Sequence, residues 1–262
     1  MKTQMVNREF LERTCRVERD RPDPRDFSVL DVCAVREIAT EELPRSFQIP
    51  DSELPQVGDQ LTTGSCVGWA AAWGLRHWLC KKETGQEENF SVRFVWMAAK
   101  EIDPFPLNII FPLSGTRIRD AMKIMQQHGV PEESLYPFSV ELPPPGKRIE
   151  IIQNAMKYRI GLYYSLSNVD EMRWNLANVG PFVIGVPVHE NFSELVDNVI
   201  PEPSGRLVGG HALLVVGYDD DTSTFRVMNS WSLEWGDQGF CKFTYDWVRA
   251  HYWNAWAVLP GS

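Results

Sequence analysis

The sequence lacks the features that would make it a disulfide scaffold, a zinc module, a membrane protein or a nucleic-acid binder. Its 262 residues hold five cysteines: Cys15, Cys33, Cys66, Cys80 and Cys241. They are too few and too scattered for a disulfide framework, and none stands in the CxxC spacing of a zinc site. A reducing compartment is implied, or export by a route without a cleavable leader. No apolar run approaches the eighteen or so residues of a membrane span, and residues 1–10 lack the apolar core of a signal peptide. The expected location is cytoplasmic, or secreted without a cleavable N-terminal signal peptide. A formal charge of −9 with no Lys/Arg cluster offers nothing to a phosphate backbone. Neither nucleic acid nor membrane is expected as a partner, and a monomer is expected.

A hydrophobic content of 44% is enough for one large domain or for two lobes sharing a cleft. Residues 1–45 read as an arm, because Arg19-Asp20-Arg21-Pro22-Asp23-Pro24-Arg25-Asp26 is too proline-rich and polar for a core element. Phe27, Val29, Leu30 and Val32 give that arm something to bury, so it is either a flexible tail or a segment packed on the body and partly covering a groove. Residues 46–262 are then the main domain, with a helical lobe over about 60–140 and a β-rich lobe over about 150–260.

Within the helical part, the spacing of Trp69, Trp73, Leu75, Trp78 and Leu79 predicts a mostly buried helix from 66 to about 82, ended by Gly85. A second helix is predicted over 91–102, stopped by Pro104. A third covers 116–128, with Ile118, Ala121, Met122 and Met125 on one face and Gly129-Val130-Pro131 as its stop. After the Pro143-Pro144-Pro145-Gly146 breaker, a short helix follows Ser167, with Asp170 at capping-box spacing, and ends at Gly180-Pro181. β-type runs then cover 182–188, 211–218, 224–228, 240–245 and 255–259. A helical half followed by a strand-rich half is an α+β arrangement.

The chemistry lies in an ordered set. Gln60 stands six positions before Cys66, Cys66 opens the first helix, His211 follows two glycines, and Asn229 stands in Asn229-Ser230-Trp231. A free thiol is only a few per cent ionised at neutral pH, so a nucleophilic cysteine needs help. At the first turn of a helix Cys66 would see unpaired N–H groups and the positive end of the dipole, which favour the thiolate. His211 would act as its base, and the side-chain oxygen of Asn229 would accept from one ring nitrogen and fix the tautomer. Trp231 would shield that bond from water. The Gln60 amide and the Cys66 N–H would form an oxyanion hole. His77, His128, His189 and His251 have no partner signal.

These residues and their neighbours resemble the papain-like cysteine peptidases. The Thr63-Gly64-Ser65-Cys66-Val67 segment is similar to the family's local signature, and His211 lies 145 residues and Asn229 163 residues beyond Cys66. The resemblance extends over about residues 44–260. It implies a two-lobe fold: a helical left lobe and an antiparallel β-barrel-like right lobe, with the active-site groove between them. Ser114-Gly115 resembles the wall that pairs with substrate backbone, and Gly180-Pro181-Phe182-Val183 the start of the β-lobe. Substrate contacts carry over to Gly64, Ser65, Ser114, Gly115, Gly210, Ala212 and Trp231. A pocket formed partly by Ala212 and residues near Gly185 would take a bulky apolar side chain.

There are departures from the pattern. Thr63 stands where the signature has a cysteine, so the disulfide that cysteine would form is absent. Val67 replaces an aromatic residue, Ser232 and Glu234 replace glycines, and Gly210 stands where some members carry an acid. The arm resembles the short leaders of bacterial relatives. The activity implied is that of a thiol endopeptidase acting on peptides or proteins through a thioester acyl-enzyme, with no metal and no cofactor. The same residues would serve a deamidase, transglutaminase or ligase, or survive in a non-catalytic peptide-binding relative.

Overall fold

The computed structural model describes residues 6–36, 42–103 and 115–260. The arm carries two short helices, α1 (Arg8–Thr14) and α2 (Val29–Arg36), and is followed by a short strand, β1 (Ser46–Gln48). The central helix opens as α3 (Cys66–Gly68), passes through a π-helical stretch (Trp69–Arg76) and continues as α4 (His77–Thr84). Then come α5 (Val92–Ile102), α6 (Ile118–Gln127) and α7 (Arg148–Ala155). The strand-rich half holds β2 (Tyr163–Ser165), α8 (Val169–Asn178), β3 (Phe182–His189), β4 (Leu207–Asp219), β5 (Thr224–Met228), β6 (Phe240–Thr244), α9 (Tyr245–His251) and β7 (Asn254–Val258).

Among the described residues, seven strands join one antiparallel sheet in the order β2-β7-β3-β4-β5-β6, with β1 added on β4. The order is an open path, so the barrel-like lobe is a sheet that does not close on itself. The central strands β3 and β4 are buried over most of their length because both faces are covered, whereas the edge strands β1 and β6 keep exposed positions. Along β4, Leu213 and Val215 enter one core while Ala212, Leu214 and Val216 enter the other. That is the period of two expected of a strand, with neither face left to water. The first core is filled by Met172 and Leu176 of α8, Trp247 and Val248 of α9, and Phe10 and Leu11 of α1. The second is filled by Leu75, Leu79, Val95, Ala99, Ile118 and Met122 from the helical half.

The central helix reaches β4 closely because its sequence is small. Ala70, Ala71 and Ala72 are buried there, and a Cβ at Gly74 would already stand 3.0 Å from the Leu214 side chain. Gly85 ends the helix at φ +73°, its N–H returning to the Lys81 carbonyl. The cap of α8 falls one residue later than the sequence predicts. Asn168 accepts from the Glu171 N–H, while the Ser167 N–H goes to the Glu171 carboxylate.

The arm is more structured than its composition predicts, and it buries different residues. Phe27 and Leu30 are exposed, whereas Phe10, Leu11, Cys15 and Val17 are buried along with Val29 and Val32. Further along, the arm carries Asp20 into the body. Its backbone N–H donates to Asn254 Oδ1 at 3.1 Å, its Oδ2 accepts from Trp256 Nε1 at 2.8 Å, and its Oδ1 is buried without a hydrogen bond. Burial pushes this carboxyl up to about 6, against which the Trp256 bond is a smaller, opposing effect. A group that holds its proton more tightly when folded stabilises the fold at low pH. That stability is complete below the unfolded value near 3.8 and is lost as pH rises through about 6. Asp20→Asn should therefore raise the melting temperature at pH 7.5, by the equivalent of about 2–3 kcal/mol, and have little effect at pH 4. Thermal unfolding of both proteins at the two pH values is the check, and an equal effect at both would contradict this account.

Candidate active site

Three segments converge where the central helix begins. The first is the loop 58–65 leading into it. This loop is tied to the chain around Asn229: Gln60 N–H donates to the Ser230 carbonyl at 2.9 Å, Ser232 N–H to the Gly58 carbonyl at 3.0 Å, and Asp59 pairs with Trp231. Gln60 is fully buried and its amide is fully used. Oε1 accepts from Ser230 Oγ at 2.8 Å, while Nε2 donates to the Thr63 carbonyl at 2.8 Å and to the Thr14 carbonyl at 3.1 Å.

Strand β4 is the second segment. It sets His211 opposite Val186 and Ala212 opposite Gly185. His211 Nε2 lies 2.7 Å from Asn229 Oδ1. The same oxygen accepts from the Ser230 backbone N–H at 2.8 Å, and because an N–H can only donate, the atom facing it must be the amide oxygen. Nε2 is then the protonated nitrogen of the neutral ring, which leaves a lone pair on Nδ1, buried and without a hydrogen bond. The Trp231 indole stacks on the imidazole at 4.6 Å and 26°, and the edges of Phe10, Phe192 and Trp235 pack around that indole. The His211–Asn229 bond is thus closed off from water.

Third is the arm. Arg16 bridges Gly210 in parallel, Val17 N–H donates to the Gly210 carbonyl at 2.9 Å, and Glu18 N–H donates to the Thr116 carbonyl at 3.3 Å. An extended backbone therefore runs between the walls of the groove. Three glycines make room for it. A Cβ at Gly115 would sit 1.6 Å from the Arg16 carbonyl oxygen, one at Gly209 2.1 Å from that of Cys15, and one at Gly210 2.5 Å from that of Val17. Val17 belongs to the same buried group as Ala212 and Ile118, beside Gly185.

Cys66 lies at the centre with no exposed surface. The backbone N–H groups of Ala212, Arg16, Val67 and Cys66 itself favour its thiolate, but burial outweighs them and pushes the thiol up. Burial also holds His211 down to about 4, only partly opposed by its bond to Asn229. The lowered thiol expected of a helix start is thus reversed here. With the arm in place, the charged forms of both groups have lost their water, so the pair stands as neutral thiol and neutral imidazole.

The sequence-predicted residues Gln60, Cys66, Gly115, Gly210, His211, Ala212, Asn229 and Trp231 therefore gather along one groove. Gly64 and Ser65 are buried in the turn into the helix, and Ser114 lies outside the described residues. Thr14, Cys15, Arg16 and Val17 are also in the groove, although no local pattern marked them. Nor did one mark the hydrogen bonds of Ser230 and Thr63 to the Gln60 amide.

The profile of the papain family cysteine proteases matches residues 43–251. An uncharacterized peptidase-like protein of Acanthamoeba polyphaga mimivirus is 28% identical over 204 residues, covering 72% of this chain and 64% of that relative. A cathepsin B-like cysteine proteinase of Ostertagia ostertagi is 32% identical over 76 residues, 28% of this chain and 44% of the relative. The chain thus spans less than two thirds of the length of either. Among solved structures, xylellain, a cysteine protease from Xylella fastidiosa, superposes with a TM-score of 0.78 at 25% identity over the whole of both chains.

Proposed function

Because the chain belongs to the papain family of cysteine proteases, we propose that it is a thiol endopeptidase whose groove is covered by its own arm. Cys66 gives its proton to His211 Nδ1 and attacks the scissile carbonyl carbon. The oxyanion accepts from Gln60 Nε2 and the Cys66 N–H. His211 then returns the proton to the leaving amine, which departs as the peptide bond breaks and leaves a thioester. A water, deprotonated by the same nitrogen, attacks that thioester and frees Cys66. Asn229 keeps the proton on Nε2 throughout, so that Nδ1 stays available.

The observation that carries this reading is the Thr14 carbonyl on Gln60 Nε2. A peptide carbonyl already rests on the donor assigned to the oxyanion, in a groove whose glycines admit a backbone. The neighbouring Val17, beside Ala212, favours substrates with a branched aliphatic side chain at that position.

The test is product mass. Protein with a weakened arm contact is incubated with a peptide library, and Cys66→Ala serves as the blank. Broken peptide chains that require Cys66 are the expected result. A deamidation-sized mass shift or a cross-link, with the chains intact, would instead identify a deamidase or a transglutaminase using the same thioester. No Cys66-dependent product at all would leave only a peptide-binding relative.

A further inference from the structure

An amide that serves an oxyanion must present an N–H, not its oxygen, and must hold it still. The Gln60 amide has two N–H groups: one is held by the Thr63 carbonyl at 2.8 Å, and the other points into the groove. The direction of the second N–H therefore depends on the two groups that hold the rest of the amide, the Thr63 carbonyl and the Ser230 hydroxyl that donates to Oε1. Thr63 lies in a turn whose tip is exposed, with Leu61 at φ 54°, a left-handed conformation unusual for a leucine. The Leu61 N–H donates to Asp59 Oδ1 at 2.8 Å, which holds the entry to the turn, and the exit is left to Thr63.

Hydrogen bonds from Thr63 tie the two ends of this turn together. Thr63 N–H donates to the Gln60 carbonyl at 3.2 Å, and Thr63 Oγ1 approaches the same carbonyl at 2.7 Å. The Thr63 and Ser65 hydroxyl oxygens are 2.6 Å apart. A hydroxyl has one proton and a carbonyl has none, so the Thr63 proton must go to the Gln60 carbonyl and the Ser65 hydroxyl must donate to Thr63. A continuous chain of hydrogen bonds thus runs from Ser65, next to Cys66, through Thr63 to the backbone of Gln60.

Resting on the peptidase reading above, we propose that Thr63 is a positioning residue whose hydroxyl clamps the loop 60–65 and so aims the Gln60 N–H at the oxyanion. It does so at the position where the resemblance puts a cysteine, through a hydrogen-bonded clamp instead of a covalent one.

Thr63→Val keeps the branched shape and removes only the hydroxyl, whereas Thr63→Ser restores the hydroxyl on a smaller side chain. Both are measured in the full chain carrying Phe10→Ala, which weakens the arm contact. Losing an oxyanion donor outright lowers the rate by about 10² to 10³, and a donor that is only misaimed should lower it less. The expected result for Thr63→Val is a kcat about tenfold lower with KM little changed, and recovery to within about twofold in Thr63→Ser. Alkylation of Cys66 by iodoacetamide forms no oxyanion, so its rate should be the same in all three proteins.

An unchanged kcat in Thr63→Val overturns the proposal, and so does a fall in alkylation that matches the fall in kcat, since that would mean general loss of the site. A reference protein with no turnover removes the peptidase reading itself, and this proposal with it, an outcome readily distinguished from the other two.

Discussion

Phe10→Ala should raise the rate at which iodoacetamide labels Cys66 at pH 7 by about two orders of magnitude or more. Phe10 is buried, and its edge packs on Trp231 with ring centroids 5.4 Å apart. Truncating a buried phenylalanine costs about 3–5 kcal/mol. Because Phe10 belongs to the seven-residue α1, the loss falls first on the contact of the arm with the body. Each 1.4 kcal/mol is about a factor of ten in an equilibrium, so the ratio of covered to uncovered protein should fall about a hundredfold at least. Two effects then act in one direction. Water and reagent reach the sulfur, and the burial that raises the Cys66 thiol and lowers His211 to about 4 is relieved. Without the arm the thiol should fall and the imidazole should rise, so that thiolate and imidazolium coexist near neutrality. The labelling rate of Phe10→Ala should accordingly level off at lower pH than that of the native protein. A native-like rate and pH dependence in Phe10→Ala would mean that the arm does not govern access to Cys66.

The parts of this molecule that were legible in the sequence are those whose partners repeat locally. The aromatic and aliphatic spacing after Cys66 marks the central helix, and the stretch 182–188 reads as a strand because every position is apolar. Fully buried on both faces, β3 could hardly read otherwise. The helix α1 was not legible. Its sequence, Arg8-Glu9-Phe10-Leu11-Glu12-Arg13-Thr14, has only two apolar residues, too few to show a period, and both find their partners in the first core, about 200 residues away in the chain. The Cys15–Val17 segment shows no pattern either, because its place is set by backbone hydrogen bonds and by the glycines that face it. At the candidate site, the order of Gln60, Cys66, His211 and Asn229 picked out side chains that the fold brings together, but their ionisation could not be read from order. The helix start argued for a lowered thiol, and the arm, which sequence alone could equally read as a tail, reverses it by burial.

Replacing His211 should remove nearly all turnover, while replacing its partner should remove much less. In the protein with the weakened arm contact, His211→Ala is expected to lower kcat by on the order of 10⁵–10⁶, the scale on which deleting the base of a nucleophile–base pair acts. Nδ1 would be the only group to take the Cys66 proton, return it to the leaving amine and later activate water, so three proton transfers fail at once. Asn229→Ala leaves that nitrogen in place. The ring loses the acceptor at 2.7 Å on Nε2 and can carry its proton on either nitrogen, so only part of the population presents a lone pair to Cys66. The stack of Trp231 on the imidazole persists and limits how far the ring can turn. The Asn229→Ala loss should therefore be smaller than that of His211→Ala by at least two orders of magnitude. Single-turnover acylation rates measure both, because they isolate the first proton transfer from product release. Equal losses in the two variants would mean that Asn229 is as necessary as the base itself, and that holding Nε2 protonated is not its role. A His211→Ala protein within about tenfold of native turnover would remove His211 from the reaction altogether.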